Sequence, residues 1–196
     1  MAFKYAVALT GSIATGKSSV ASILKKMGFE IIDADTIAHE ILNEEHQQIS
    51  KIFGEGIVQK GIVNRRALGA IVFSNNQKRK TLEQLLHPLI YKRIETLSKK
   101  LDTREVPYLI DIPLFFETNR YPIEKSLVVY TPLKIQLKRL MQRDNAQKED
   151  AQKRIDTQIS IEKKVKRASY VIDNSGTLAE LERECLRVKE AILGDF

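Results

Sequence analysis

The chain has 196 residues, 43% hydrophobic and 29% charged, with 32 Lys+Arg against 25 Asp+Glu for a formal net charge of +7. Those proportions belong to a folded globular chain rather than a disordered one, and a chain of this length buries roughly 70% of its unfolded surface without a staple. One cysteine excludes a disulfide framework and any cysteine-based zinc site, and the early apolar run Tyr5–Leu9 is too short for a signal-peptide core or a membrane span. A cytoplasmic protein with one main folding unit and an inserted subdomain is the expectation.

In chain order, Tyr5–Leu9 reads as a buried strand leading into a glycine-containing turn. A helix follows, with Val20, Ile23, Leu24 and Met27 on one face and Gly28 at its end, and Phe29–Ile32 reads as a second strand. Strand, turn, helix and strand at this spacing form a βαβ unit, which implies a parallel sheet. From Asp35 to about Leu101 the patterns are almost all helical, with Asn64 an expected N-cap and Gly54, Gly56 and Gly61 marking a turn-rich break. Strands return at Val106–Ile112, Ser126–Tyr130 and Tyr170–Ile172. Thr131-Pro132 reads as an N-cap and first-turn proline for a helix with Leu133, Leu137, Leu140 and Met141 on one face. The last helix carries Leu178, Leu181, Cys185, Val188 and Ile192 at 3/4 spacing, which makes Cys185 a core residue rather than a nucleophile. Five strands around a mostly helical insertion give an α/β three-layer architecture.

The positive charge is not spread evenly. Residues 75–104 carry a net of +5 and residues 132–170 a net of +6, while the remaining segments lie between +1 and −3. Nucleic acid, anionic membrane and polyphosphate ligands are all compatible with such a surplus.

Gly11-Ser12-Ile13-Ala14-Thr15-Gly16-Lys17-Ser18 matches G-x-x-x-x-G-K-[ST] without a gap and sits between a predicted strand and a predicted helix. By composition alone the pattern arises in on the order of one in a hundred chains this long. The backbone N–H groups of such a loop and the following helix N-terminus cradle an anion; Lys17 would reach the β- and γ-phosphates and Ser18 would hold Mg²⁺. Asp33 and Asp35 lie at the carboxyl end of the second strand, the end of a parallel sheet beyond which ligands bind. A carboxylate there can take a proton from an attacking hydroxyl or support the metal shell, unless it is spent as the N-cap of the following helix. Tyr108-Leu-Ile-Asp111 has the form of a Walker B strand, whose aspartate orders water on Mg²⁺. Arg139 and Arg143 lie four apart on a face away from the leucine stripe, and Arg154 and Gln158 repeat that spacing on the next helix. Arginines so placed suit charge neutralisation on a transferring phosphoryl group; the plainer reading pairs them with Asp144 or Asp150 on solvated helix faces.

Taken together these segments resemble the dephospho-CoA kinase family, from Leu9 to about Gly176. The likeness rests on Leu9–Ser18, Ile32-Asp33-Ala34-Asp35, Leu86-His87-Pro88-Leu89-Ile90, Asp111-Ile-Pro113-Leu114-Phe-Phe-Glu117, Arg139-Leu-Met-Gln-Arg143-Asp144 and Val171-Ile-Asp-Asn174-Ser175-Gly176. The chain departs from the family's pattern at Ser12 and Ala14, where glycine is usual, and at Ser169, where aspartate is usual. The resemblance implies a P-loop kinase fold with a parallel five-stranded sheet, helices on both faces, a helical acceptor domain and a helical lid. The core would be 1–34, 105–135 and 168–196, the acceptor-binding domain 35–104 and the lid 136–167. It implies transfer of the ATP γ-phosphoryl group, with Mg²⁺, to the ribose 3′-hydroxyl of dephospho-CoA, the last step of coenzyme A synthesis. Asp33 would be the general base, with Lys17 and Arg143 stabilising transferring charge. ATP would contact Gly11–Ser18, Arg139, Asn174, Ser175 and Gly176. Asp33, Asp35, His87, Glu117 and Arg154 would serve the acceptor, and Ser18 and Asp111 the metal. His87 has a second reading, as the partner of a proline kink.

A different small-molecule kinase would differ in what residues 35–101 accept. A guanine-reading switch would need Asn-Lys-x-Asp, which does not occur here. A nucleic-acid binder would keep a basic aromatic surface with no need of Asp33 and Asp111. The expected partners are therefore ATP and dephospho-CoA, with no nucleic acid and no membrane, in a monomer or weak homo-oligomer.

Overall fold

The computed structural model describes residues 2–196. Its elements run β1 (Ala6–Gly11), α1 (Lys17–Lys26), β2 (Ile31–Asp33), α2 (Ala34–Glu44), α3 (His46–Phe53), β3 (Val58–Gln59), β4 (Ile62–Val63), α4 (Arg65–Phe73) and α5 (Asn76–Asp102). Then come β5 (Tyr108–Asp111), α6 (Phe115–Thr118), β6 (Lys125–Tyr130), α7 (Leu133–Asp144), α8 (Lys148–Asp156), α9 (Ile161–Val165), β7 (Tyr170–Asp173) and α10 (Leu178–Gly194). The chain divides into two compact units: one takes it up to Ile32 and from Ser98 to Phe196, the other is Asp33–Leu97.

The first unit is built on a five-stranded sheet in the order β2-β5-β1-β6-β7, with β5–β1, β1–β6 and β6–β7 pairing in parallel. Every residue of β1 and β5 is buried, which is why both read as unbroken apolar runs rather than as alternating ones. Val20 and Leu24 of α1 and Leu181, Cys185, Val188 and Ile192 of α10 close over Val7, Leu9, Leu127, Val129 and Ile172. Each such fully buried aliphatic contributes roughly 1.5–3 kcal/mol. Cys185 lies inside this cluster, and burial pushes its thiol up to about 11. Leu178, the first of the expected stripe, is exposed because it opens the first turn of α10, where Thr177 and Glu180 form a capping box.

Three local expectations change on folding. Phe29 is not a strand residue: its N–H bonds the Leu24 carbonyl at 3.1 Å while the Gly28 N–H bonds Lys25 at 3.1 Å, a Schellman end to α1 that delays β2 to Ile31. Thr131 does not cap α7, whose N-cap is Pro132; the Thr131 hydroxyl is buried and turned toward the carbonyls of Thr15 (3.1 Å) and Asn174 (3.2 Å). On α7 the buried positions are Gln136 and Leu140, with Leu133 well exposed. Leu140, Ala151 and Ile155 make a separate small core onto which Leu137, Met141 and the loop residues Ile13 and Ala14 pack.

The second unit is mainly helical, with Ile49, Phe53, Ile57, Val63, Leu68 and Val72 in its core. Asn64 caps α4 by accepting the Ala67 N–H at 3.1 Å. The glycine-marked break holds a small hairpin, β3 against β4, turned by Lys60 (φ 50) and Gly61 (φ 77). Two positive φ values in a two-residue loop are the geometry that matches strand twist, but strands of two residues carry no alternation to read in advance. α5 starts in this unit, continues through Pro88 and ends in the other.

Candidate active site

β1 ends at Gly11, paired in register with Val129, and the chain then turns through Ser12–Thr15 into α1. Gly11 is required by packing: a Cβ there would stand 2.6 Å from Thr15 Oγ1 and 3.2 Å from the Val129 carbonyl. Gly16 is left-handed at φ 85, and Ala14 adopts φ 61 and packs against the small core of Leu140, Ala151 and Ile155. Three carbonyls of this stretch have fixed partners. Ser12 O accepts the Thr15 N–H (3.2 Å) and hydroxyl (2.9 Å), Thr15 O accepts Asn174 Nδ2 (2.7 Å), and Gly11 O accepts Lys164 Nζ (2.7 Å). At the other end of the loop, Lys17 and Ser18 open α1, and their N–H groups come before the first bonds of the helix, from Ser19 and Val20 to the Gly16 carbonyl at 3.0 and 3.2 Å. That turn and the helix dipole form an anion cradle.

The register β1–β5 sets Asp111 opposite Leu9, two residues before the loop begins. Lys17 reaches back from α1 to pair with Asp111 Oδ1, both side chains largely shielded from solvent. Ser18 is exposed at the helix start. On the far side of Gly16 stand Asn174, buried on the Thr15 carbonyl, and Arg139, which donates to Thr131 Oγ1 at 3.3 Å. The structure thus brings together Gly11–Ser18, Asp111, Arg139 and Asn174. Ser175 donates its N–H to Asp173 Oδ1 at 2.8 Å, and Gly176 lies against Glu180.

Other candidates are engaged elsewhere. Arg143 and Arg154 both bind Asp144, and the Arg143 guanidinium first, then that of Arg154, hold its carboxyl well below the usual range, at about 2. The plainer reading of these two arginines, pairing with a nearby acid, thus holds at Asp144, on which both converge. Gln158 does not share a helix face with Arg154, since α8 stops at Asp156; its Oε1 accepts the Ile13 N–H at 2.8 Å. In the second unit, Asp33 Oδ1 is the N-cap of α2, accepting the Thr36 N–H at 2.9 Å, while Asp35 is exposed in the first turn. The capping position of the Asp pair is thus Asp33. His87 is half-buried in α5, directly before Pro88.

The family model for dephospho-CoA kinase matches residues 5–180. The chain belongs to the dephospho-CoA kinase family. It is 50% identical to the dephospho-CoA kinase of Sulfurimonas denitrificans over 196 residues, covering 100% of this chain and 98% of that one. It is 45% identical to that of Wolinella succinogenes, covering 98% and 96%. Among solved structures it is similar to the dephospho-CoA kinase from Campylobacter jejuni, with a TM-score of 0.74 and 38% identity over 98% of this chain and 100% of that one. The chain is therefore a kinase with the α/β P-loop fold of that family.

Two site residues of this family member were not visible in its sequence pattern. Lys164 is fully buried, between Gly11 O and Glu117 Oε1, and Thr131 bridges loop ends more than a hundred residues apart. The signal for Lys164 was a lysine three residues after Ile161, on the buried face of α9. For Asn174 the structure adds a bracing role behind Gly16, and this is testable. Gly16→Ala should cost about 1–2 kcal/mol from the left-handed backbone alone, and more from collision with the Asn174 amide. Adding Asn174→Ala removes the collision but not the strain, so denaturant unfolding of the double variant should show a loss smaller than the sum of the two single losses. Additive losses would mean that the two residues do not meet.

Proposed function

We propose that the chain transfers the γ-phosphoryl group of ATP to the ribose 3′-hydroxyl of dephospho-CoA, giving coenzyme A and ADP. The observation that carries this reading is the intact phosphate-binding loop, with Lys17 against Asp111 at the carboxyl end of β5, in a chain of the dephospho-CoA kinase family. Phosphoryl transfer asks little covalent chemistry of a protein; it needs in-line positioning and charge stabilisation. The loop amides and the N-terminus of α1 would hold the phosphates, with Gly11, Ser12, Ile13, Ala14, Thr15 and Gly16 forming the wall and Lys17 the point charge. Arg139 and Asn174–Gly176 would border the nucleoside, next to the Gly16 turn.

Ser18 and Asp111 offer a hydroxyl and a carboxylate, hard oxygen donors of the kind Mg²⁺ takes together with substrate phosphates and water. They would hold the ion, and the ion would supply neutralisation of β- and γ-phosphate charge. Lys17 would then stand between Asp111 and the phosphates, both of which it can face from one flexible stem.

Asp33 would take the proton of the attacking hydroxyl. It closes β2 at the carboxyl end of a sheet strand, and its cap to Thr36 uses Oδ1, so Oδ2 lies outside that bond. Arg143 would stabilise the transferring group, and Arg154, Asp35, His87 and Glu117 would serve the acceptor. The carboxylate of Asp144 keeps Arg143 and Arg154 together on the lid helices. No helix among the described residues is long and apolar enough to cross a membrane.

Incubation with ATP, Mg²⁺ and dephospho-CoA should give a product heavier by one phosphate, with equivalent ADP. A panel of other hydroxyl acceptors, read by coupled ADP detection, should give little turnover. Turnover with another acceptor but none with dephospho-CoA would overturn the substrate assignment.

A further inference from the structure

We infer that Lys164, together with Glu117 and Gln158, is a positioning set that fixes the entrance of the phosphate-binding loop and thereby sets nucleotide affinity. Lys164 lies on α9 with 0% of its surface exposed, and its ammonium has two partners at 2.7 Å, the Gly11 carbonyl and Glu117 Oε1. Glu117, on α6, uses the same Oε1 to accept the Ile159 N–H at 3.1 Å, while its buried Oε2 has no hydrogen-bond partner among the described residues. One step further along the loop, Gln158 Oε1 takes the Ile13 N–H at 2.8 Å. Segment 158–164 therefore grips the loop on both sides of Ser12, through a carbonyl at residue 11 and an amide at residue 13.

Space-filling does not explain this choice of residues. Burial lowers the Lys164 pKa from its ordinary value, and Glu117 pulls it back up; an apolar side chain of similar volume would avoid the conflict. What lysine adds is a donor that reaches the last β1 carbonyl before the chain turns. A backbone carbonyl beside a tight loop needs a fixed partner if the following amides are to hold their direction. Gln158 does the converse for an amide, keeping Ile13 N–H out of the cradle. The result is preorganisation: the loop is held from behind, so the nucleotide need not order it. The segment that holds it immediately follows α8, so the lid-side helices and the loop share one anchor.

The inference rests on the reading of the loop as the nucleotide site, but not on the identity of the acceptor. The probe is therefore MgADP, titrated by calorimetry into the full chain. Lys164→Met paired with Glu117→Gln removes the buried charges together and keeps an acceptor for Ile159. It should melt near the parent temperature yet bind MgADP tenfold or more weakly. Gln158→Ala, which disturbs no buried charge and should fold, is expected to weaken MgADP binding several-fold. In turnover assays with Gln158→Ala, KM for ATP should rise while KM for the acceptor stays within twofold of the parent. MgADP binding within twofold of the parent in a folded variant, or an equal rise in both KM values, would overturn the inference; should the double variant not fold, Gln158→Ala decides. A parent chain that bound MgADP but left dephospho-CoA unphosphorylated would overturn the functional reading and leave this test intact.

Discussion

Replacement of Asp33 by asparagine is expected to lower kcat by about 10²- to 10⁴-fold, the usual worth of a positioned general base, equivalent to roughly 3–5 kcal/mol of barrier. The fold should survive the change. Asp33 Oδ1 caps α2 by accepting the Thr36 N–H, and an asparagine oxygen accepts the same bond about as well. Nucleotide affinity and melting temperature should therefore stay near those of the parent. Asp33→Ala separates the two roles: it should lose the same turnover and, in addition, about 1 kcal/mol of stability with the cap. Steady-state kinetics, MgADP titration and thermal melts on the three proteins read these quantities independently. Near-parental turnover in Asp33→Asn would reduce Asp33 to a helix cap and move the base elsewhere.

Lys17→Ala should cost about 10²- to 10³-fold in kcat/KM, the scale of losing one preorganised donor to developing charge. Here the effect on stability runs through Asp111, which faces Lys17 from β5 in a shielded position. Removing the cation takes an ion-pair partner from a shielded carboxylate, so the single variant should also melt lower than the parent. Combining Lys17→Ala with Asp111→Asn should restore most of the melting temperature and none of the activity. Activity with ATP unchanged in Lys17→Ala would overturn the reading of the loop as a phosphate site.

The parts of this site that could be read in the sequence are the local ones. A strand, a glycine turn and a helix start lie within Ala6–Lys26, and their geometry follows from residues adjacent in the chain, so the loop was legible. Asp111 was legible because a buried apolar strand ending in aspartate is itself a local pattern. The supports of the loop were not, since they are pairings over long separations. Lys164 meets Gly11 across 153 residues and Asn174 meets Thr15 across 159, and neither contact leaves a periodicity. Gln158 was misplaced for a different reason: its spacing from Arg154 fits a helix, but α8 has already ended at Asp156. Asp33 shows a third kind of difficulty, in which one residue type satisfies two chemistries. The same short carboxylate makes a good N-cap and a good base, and only the fold assigns the cap to Asp33 rather than Asp35.

The burial of Cys185 has a practical consequence. It is the chain's one cysteine, it lies wholly inside the core on the buried face of α10, and burial raises its thiol to about 11. At neutral pH it offers neither access nor thiolate to an alkylating reagent. Thiol-reactive fluorophores or spin labels would therefore attach only where a new cysteine is introduced, without a background that must first be mutated away. An exposed turn such as Asn145, between α7 and α8, then becomes an address for a spectroscopic probe on the otherwise native chain.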